Sequence, residues 1–368
     1  MLDPYFLFFF IPLSWFATMF FIEAGSIVMI PICRYEQYRE KMLYVLGAMW
    51  AIIATSLVYL VVTLDTVYAP VLYVTGLILY VPLMLVIILL GFHHFFIGTA
   101  EGAGNLGDEK REKLLLYVAL PFALAVAYSG VTLFTTVFSG IGFEITNAKL
   151  LLKGLSAVLS AGGFQNVNYQ TVDQVLAGSL AANYVEMYFN PFNIVFFLAI
   201  VFYVVYFTVI FYGIRERLIL GALGLTLAHA LFLASTATWL PQVFQNAISN
   251  AGYWFYVVLT YLMLITVVKN VPFRQMWLVI LTFAGGMMFG AFTNGQILVD
   301  LVPAGTLGPG TPAGLPAAAL LTNPATLIAG VVVLSMAGIL VIGGVTSVSY
   351  KVLYKAKVKR AAKEAVKV

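Results

Sequence analysis

The side chains that could do chemistry in this sequence are few, and the first is a single acid in a long apolar stretch. Glu23 lies in the stretch 6–32, whose only other polar residues are two serines and a threonine. At a rise of about 1.5 Å per residue, Glu23 is about 13 Å from the Ile32 end of a helix. An ionised carboxylate at that depth costs at least ~3 kcal/mol, so such a residue faces a bundle interior or a water-filled path. Glu23 is therefore either a protonated acid bonded to a neighbouring helix, or a group that handles protons or faces a cofactor.

The three histidines are the residues of this chain that could ligate a haem iron. His93 and His94 are adjacent, and neighbouring residues of a helix point about 100° apart, so the two are not expected to bind one ion. We interpret this pair as interfacial side chains. His229 lies among small residues, and we expect a satisfied core histidine, with haem ligation as the alternative.

Other reactive groups are scarce. Ser26 follows Glu23 by three residues, and Asp65 is predicted near the outer end of the second apolar segment. Cys33 is the only cysteine, which excludes an intrachain disulfide and a cysteine cluster. The sequence has no Walker loop, dinucleotide fingerprint or serine–histidine–acid set. We therefore assign no catalytic residue and no metal site, and do not expect an enzyme that acts alone.

The elements that must position these residues are membrane helices. Hydrophobic residues make up 62% of the chain and charged residues 9%, with a mean hydropathy of +1.00. Soluble domains carry about 25% charged residues, so the chain is predicted to be an all-α polytopic membrane protein. The predicted spans are nine: 6–32, 43–64, 70–97, 114–138, 191–213, 218–239, 250–268, 275–296 and 325–350.

The basic residues indicate the orientation. All of them except Lys149 and Lys153 fall on alternate connections or in the tail from Lys351 to Lys367. By the positive-inside rule this face is cytoplasmic, so the N-terminus is predicted outside and the C-terminus inside a cell membrane. The basic tail is expected to contact anionic lipid headgroups. Because these residues lie at helix ends and in the tail, no nucleic-acid partner is expected.

Two long connections separate the groups of helices. The predicted organisation is helices 1–4 in 1–138, an extracytoplasmic loop 139–190, helices 5–8 in 191–296, a Pro/Gly-rich extracytoplasmic loop 297–324, and helix 9 with the tail in 325–368. The spacing of Leu151, Leu155 and Val158 predicts a short amphipathic helix at the membrane interface. The density of proline and glycine in 297–324 predicts no regular structure there.

With these features the chain resembles subunit II of the cytochrome bd quinol oxidases. Helix 1 ends in an acid–glycine pattern over 21–29, with Glu23 at the acid position. Trp50 lies near the start of helix 2, and Asn190, Pro191 and Phe192 are similar to the opening of the family's helix 5. The chain departs from the family's His-Trp-Asp-Gly pattern at 49–52 and carries Ser26 where a second acid is common. Glu23 would then be the surviving polar element of a proton path.

The resemblance implies two four-helix bundles with a peripheral ninth helix. It implies a partner, subunit I, that holds haems b and d and the quinol site, while this chain supports it without catalysing. The chain could line a proton or oxygen path through Glu23, Ser26 and Asp65, and could hold a quinone or lipid. The alternatives are a secondary transporter, which predicts an inverted repeat with broken helices, and a subunit that ligates a haem through His229 or the His93–His94 pair.

Overall fold

The computed structural model describes the chain with gaps. The described residues are 5, 7–33, 35–163, 166–168, 174–311, 313–316, 319, 327–341, 343–345 and 348. The side chains of 50–51, 68–75, 77 and 315–316, and the whole tail from 349, lie outside the described part.

Nine described helices are long and apolar enough to cross a membrane, as the sequence predicted. They are helix 1 (Leu7–Ile32), helix 2 (Tyr35–Ile78), helix 3 (Tyr80–Asn105), helix 4 (Glu109–Ser139), helix 5 (Pro191–Tyr212), helix 6 (Leu218–Trp239), helix 7 (Ala251–Val268), helix 8 (Arg274–Phe292) and helix 9 (Leu327–Val345). Shorter helices lie at Ala148–Ser160, Tyr184–Phe189 and Pro241–Ile248.

Helices 2 and 3 differ most from their predicted bounds. Helix 2 runs for 44 residues, about twice the 20 or so that cross a bilayer. Its first turns contain the polar segment from Tyr35, which was predicted as a loop. Helix 3 begins at Tyr80, and Pro82 lies in its first turn, where proline is tolerated. It ends at Asn105, eight residues beyond the predicted end at 97, so side chains in its second half lie deeper than expected.

The membrane helices form two four-helix bundles. Helix 1 packs on helices 2 and 4, and helix 3 packs on both of these, which closes the first bundle. Helix 5 packs on helices 6 and 8, and helix 7 contacts the same two. The bundles meet where helix 1 contacts helices 5 and 8 and helix 4 contacts helix 5. Helix 1 is therefore the central element of the fold.

Helix 9 lies against helix 2, outside both bundles. The Tyr59 hydroxyl donates to the Val332 carbonyl at 3.0 Å, and Gly343 faces the Ile52 side chain. Large apolar residues of helix 9, such as Leu334, are mostly exposed. This is the peripheral helix that the sequence resemblance implied.

Basic side chains cap the helix ends on one face, which we call the basic face and define by the ends of helices 1, 3, 5 and 7. Arg217 donates to the last carbonyl of helix 1, that of Ile32, at 2.7 Å. Arg274 donates to Ile210 and Lys41 to Tyr212 at the end of helix 5, at 2.8 and 3.1 Å. Helix C-termini leave carbonyl groups unpaired and carry partial negative charge, so these cations satisfy and neutralise them.

The opposite face, the loop face, carries the two long connections in folded form. Strands β1 (Phe143–Ile145) and β2 (Leu180–Ala182) pair antiparallel, as do β3 (Gln296–Ile297) and β4 (Leu315–Pro316). The second pair corrects the prediction of no regular structure in 297–324. Gly314 has a left-handed conformation, with φ of +81°. A Cβ at this position would lie 2.8 Å from the Ile297 carbonyl oxygen, so glycine is needed for the close approach of the two strands.

The amphipathic helix of the first connection is present but is not interfacial. In helix Ala148–Ser160, Leu151, Leu155 and Val158 are buried, as their spacing predicted. Their partners are apolar residues of the chain itself, including Leu301 from the second connection. The expectation of a membrane-lying helix is therefore wrong, because protein covers the apolar face.

Candidate functional site

The candidate site is the Glu23 carboxyl group and the two histidines that face it. Glu23 and His93 are fully buried, and His93 Nε2 lies 2.7 Å from Glu23 Oε1. His94 Nε2 lies 3.1 Å from the same oxygen, and 21% of the His94 side chain is exposed. Helix 1 thus supplies the acid, and helix 3 supplies both rings.

This arrangement corrects the prediction of interfacial histidines. His94 lies eleven residues before the end of helix 3, about 17 Å along the helix axis. Glu23 lies nine residues before the end of helix 1 on the same face, so acid and rings reach a similar depth. The error came from ending helix 3 at 97, which placed the histidines near a boundary that does not exist.

Although adjacent histidines are not expected to bind one ion, both rings here approach one carboxylate oxygen. The two rings are 5.6 Å apart between centroids and inclined by 38°. Glu23 Oε1 lies between the two directions in which they point, and each imidazole is long enough to reach it. Helical spacing fixes the direction of each Cα–Cβ bond, but two long side chains can still approach one group that lies between them.

The site contains polar atoms that have no other partner. Apart from the contacts with each other, both Glu23 oxygens and the Nε2 atoms of His93 and His94 have no hydrogen-bond partner among the described residues. The second ring nitrogen of His93, Nδ1, is 3.2 Å from the Ala119 carbonyl of helix 4. Helices 1, 3 and 4 therefore hold His93 in place. The four buried polar atoms have only one another as polar partners among the described residues.

The other predicted polar residues of the path lie elsewhere. The Ser26 hydroxyl donates to the Ile22 carbonyl at 2.6 Å and is bonded to the Tyr212 hydroxyl at 2.5 Å, so it joins helix 1 to helix 5. Asp65 is exposed on helix 2. The structure brings neither residue into contact with Glu23.

His229 belongs to a different part of the molecule. Its Nε2 is 3.3 Å from the Thr260 hydroxyl, and the rings of Tyr253, Tyr256 and Tyr261 surround it. This matches the predicted satisfied core histidine. The residues around it offer hydroxyl groups to the ring, and the site contains no second imidazole or thiolate, the usual strong ligands of haem iron.

A cavity of about 330 Å³ lies between the two bundles, next to His229. Its walls are almost entirely apolar and aromatic, and they come from helix 1 and from helices 3–8. The few polar groups at its edge include Tyr203 and Tyr256, whose hydroxyls are 3.3 Å apart, and Thr282, 3.0 Å from Tyr203. Such a volume with few polar groups is typical of sites for apolar small molecules.

The family-like residues at the start of helix 5 cap the helix and pack in the core. The Asn190 side chain accepts from the Asn193 backbone N–H at 2.7 Å, and Pro191 occupies the first turn. Phe192 is fully buried and stacks on Trp239. Trp50 lies in helix 2, but its side chain is outside the described part.

A second polar cluster, at the basic face, was missed from the sequence. Glu112 is fully buried at the start of helix 4, and Arg39 of helix 2 donates to both of its oxygens, at 2.8 and 2.6 Å. The Tyr35 hydroxyl donates to the same carboxylate. Gly104 of helix 3 is pressed against Glu112 and leaves no room for a Cβ. One sequence signal was available. Asp108 is a typical helix N-cap, and its side chain accepts from the Arg111 backbone N–H, which places Glu112 in the first turn of helix 4.

Comparisons with known proteins bear on the fold. No family model matches this chain, and no curated protein matches it significantly. Among solved structures, the chain is similar to a chain in the structure of the bd oxidase from Geobacillus thermodenitrificans, with a TM-score of 0.56 and 17% identity. The match covers 95% of this chain and 96% of that chain. The chain is therefore an all-α polytopic membrane protein with a cytochrome bd-type fold.

Proposed function

We propose that this chain is a supporting subunit, of the subunit II type, in a bd-type quinol:oxygen oxidoreductase. The observation that carries the proposal is the likeness over nearly the whole length of both chains to a chain of a bd oxidase. Catalysis and the haems b and d would belong to a partner subunit I. This chain would stabilise that partner in the cell membrane and provide a buried polar site.

The contacts of the three histidines favour a role in which this chain does not carry the haems. His93 and His94 both face Glu23, and His229 is bonded to Thr260 within a set of tyrosines. A chain that held several haems itself would need several strong axial ligands directed at open space. The histidines of this chain are instead directed at other side chains.

We place the proton path of this chain at Glu23. The carboxyl group lies about 13 Å from the basic face, within helix 1, and two titratable rings adjoin it. Ser26 and Asp65 are left out of the path because neither contacts Glu23. We take the basic face as cytoplasmic, since cationic residues are retained on that side of membranes.

The cavity between the bundles is the place we propose for a quinone or lipid held by this chain. Its apolar walls suit an isoprenoid or acyl chain, and the hydroxyls of Tyr203, Tyr256 and Thr282 could donate to one carbonyl oxygen. The ligand would strengthen the contact between the bundles rather than take part in oxygen reduction.

The proposal is tested by purifying the chain with an affinity tag from membranes of the organism that carries it. We expect a second hydrophobic subunit in equal amount, reduced-haem absorption, and quinol oxidase activity in the same fraction. A chain that purifies alone without haem, or alone with haem and full activity, would contradict the proposal.

Three substitutions in that complex separate the roles. Glu23→Gln should lower oxidase turnover and proton uptake, whereas Asp65→Asn should leave both at the wild-type level. His229→Ala should leave every haem band in place. Loss of a band would instead support the alternative that this chain ligates a haem.

A secondary transporter is the less favoured function. Helices 1 and 5 both end at the basic face, so the two bundles have the same orientation rather than the inverted one. None of the described spans is broken at its centre into two half-helices, which many transporters use to bind substrate. A transport assay is therefore not the first experiment.

A further inference from the structure

We infer that Glu23, His93 and His94 form a buried site that holds one exchangeable proton, shared between Glu23 and His93 and exchanged through His94. The inference deepens the proposed function, because it names the groups that would hold the proton at Glu23. It rests on side-chain geometry, so its first test needs no oxidase activity.

The hydrogen positions on His93 follow from its two neighbours. A backbone carbonyl can only accept, so Nδ1 of His93, 3.2 Å from the Ala119 carbonyl, carries a hydrogen. In the neutral ring the other nitrogen, Nε2, then has only a lone pair. It lies 2.7 Å from Glu23 Oε1, which in the carboxylate form is also an acceptor. Two acceptors come this close only with a hydrogen between them, so one proton is required.

The short distance distinguishes a proton from a metal ion. Two ligands at about 2.0–2.2 Å from a tetrahedral Zn²⁺ stand about 3.3 Å from each other. Nε2 and Oε1 are 2.7 Å apart, the length of a charge-assisted hydrogen bond. The residues present therefore fit a shared proton better than a bridging metal ion.

The surroundings keep that proton within the three residues. Among the described residues, the titratable side chains that form ion-pair contacts with the Glu23 carboxyl are His93 and His94, at 2.7 and 3.1 Å. From helix 4 the Ala119 carbonyl faces His93, and on the helix 5 side Ser26 and Tyr212 are bonded to each other. Towards the basic face, Arg39 is paired with Glu112, and Lys41 of helix 2 donates to the Tyr212 carbonyl.

His94 is the route by which the proton can leave. Its Nε2 is buried and 3.1 Å from Glu23 Oε1, yet 21% of its side chain is exposed, so the rest of the ring reaches the surface of the bundle. His93 has no exposed surface. An imidazole can accept a proton at one nitrogen and release one from the other, which suits the residue that touches both the carboxyl group and the surface.

Infrared difference spectroscopy of the purified complex, recorded across a pH titration, tests the shared proton. We expect pH-dependent carboxyl and imidazole bands that disappear together in Glu23→Gln and also in His93→Gln, which keeps a hydrogen-bond donor but cannot titrate. His229→Gln, a matched histidine away from any acid, should leave the bands unchanged. A Glu23 carboxyl band that persists unaltered in His93→Gln would overturn the inference.

Exchange of the same bands after transfer to D₂O tests the role of His94. The carboxyl band should shift at least ten-fold more slowly in His94→Phe than in wild type, and His94→Gln should behave in the same way if the phenylalanine variant does not fold. Wild-type exchange in a folded variant would refute the exchange route. Bands that behave as expected in a complex without quinol oxidase activity would support this inference and reject the proposed function, so the two failures can be told apart.

Discussion

Arg39 is the residue on which the buried charge of Glu112 depends. Arg39 donates twice to this carboxylate, and its own side chain is only 20% exposed. Removing one partner of a buried pair leaves the other charge without compensation, which costs about 3–5 kcal/mol. Arg39→Ala should therefore lower the thermal midpoint of the purified protein clearly.

The neighbouring pair of Lys113 and Glu36 provides the control. Both of these side chains are exposed, and they meet at 3.0 Å between the same two helices. Ion pairs in such positions contribute little. Glu36→Gln removes this pair while leaving Lys113 over the Tyr35 ring, and should leave the thermal midpoint unchanged. Equal losses in the two variants would contradict this account of Glu112.

Cys33 is predicted to be a slow thiol. It lies just beyond helix 1, half-buried, with its Sγ donating to the Met29 carbonyl at 2.9 Å. Burial, and secondly the nearby Glu216, raise the pKa of the thiol to about 11 from the ordinary value of 9.0. Because the thiolate is the form that reacts, alkylation at pH 8 should be about 100-fold slower than in the unfolded chain.

The measurement is the rate of iodoacetamide labelling followed by mass spectrometry. The rate in the folded protein should rise about ten-fold per pH unit up to about pH 11, since the thiolate fraction rises in that proportion. A labelling rate equal to that of the unfolded chain at pH 8 would show that the thiol is neither buried nor perturbed.

Residue-level prediction from sequence succeeded where local structure decides and failed where tertiary contact decides. Asparagine as the cap at 190 and proline in the first turn follow from local rules, and the structure shows both. The depth of Glu23 followed from counting along one helix. The approach of His93 and His94 to Glu23 depends on how helix 3 is aligned with helix 1, and no pattern within either segment encodes that alignment.

Gly224 shows what a single hydrogen side chain does for the contact between helices 5 and 6. A Cβ at this position would lie 2.8 Å from the Phe202 carbonyl oxygen, which is backbone and cannot turn away. Gly224→Ala should push the helices apart and lower stability, as happens where small residues let membrane helices approach.

Gly91→Ala is the matched control in helix 3. A Cβ at Gly91 would meet nothing within 4 Å, and alanine favours a helix over glycine. The thermal midpoint should stay the same or rise slightly in this variant. If Gly224→Ala behaved like Gly91→Ala, the close contact between helices 5 and 6 would not be a source of stability.

Helix number was predictable from sequence, but helix ends were less so. Nine apolar segments stand out because about 20 apolar residues are needed to cross a bilayer. The ends of helices 2 and 3 were misplaced because both helices continue through polar or glycine-containing segments that their neighbours stabilise. At Gly104 a Cβ would clash with the Glu112 carboxyl group, so glycine lets helix 3 pass close to this side chain.

The whole molecule has an orientation that can be measured. Helices 1–8 alternate in direction, and helix 9 makes the number of described spans odd, so the two ends of the chain should lie on opposite sides. In a Cys33→Ser background, cysteines placed at Glu109 and at Glu186 should react with an impermeant maleimide from opposite sides of sealed vesicles. These positions flank helix 4, so labelling of both from one side would refute the crossing of helix 4 and the alternation of the spans.

The cations that cap helices at the basic face act both in membrane insertion and in the folded protein. Arg217 and Arg274 belong to the charges that hold connections on one side during insertion, and in the folded protein they bind the ends of helices 1 and 5. Neutralising one of them can therefore leave a chain that inserts with the correct topology but whose helix ends at the basic face are less stable. Screens that score only insertion would pass such variants, and a protease added to that side would reveal them.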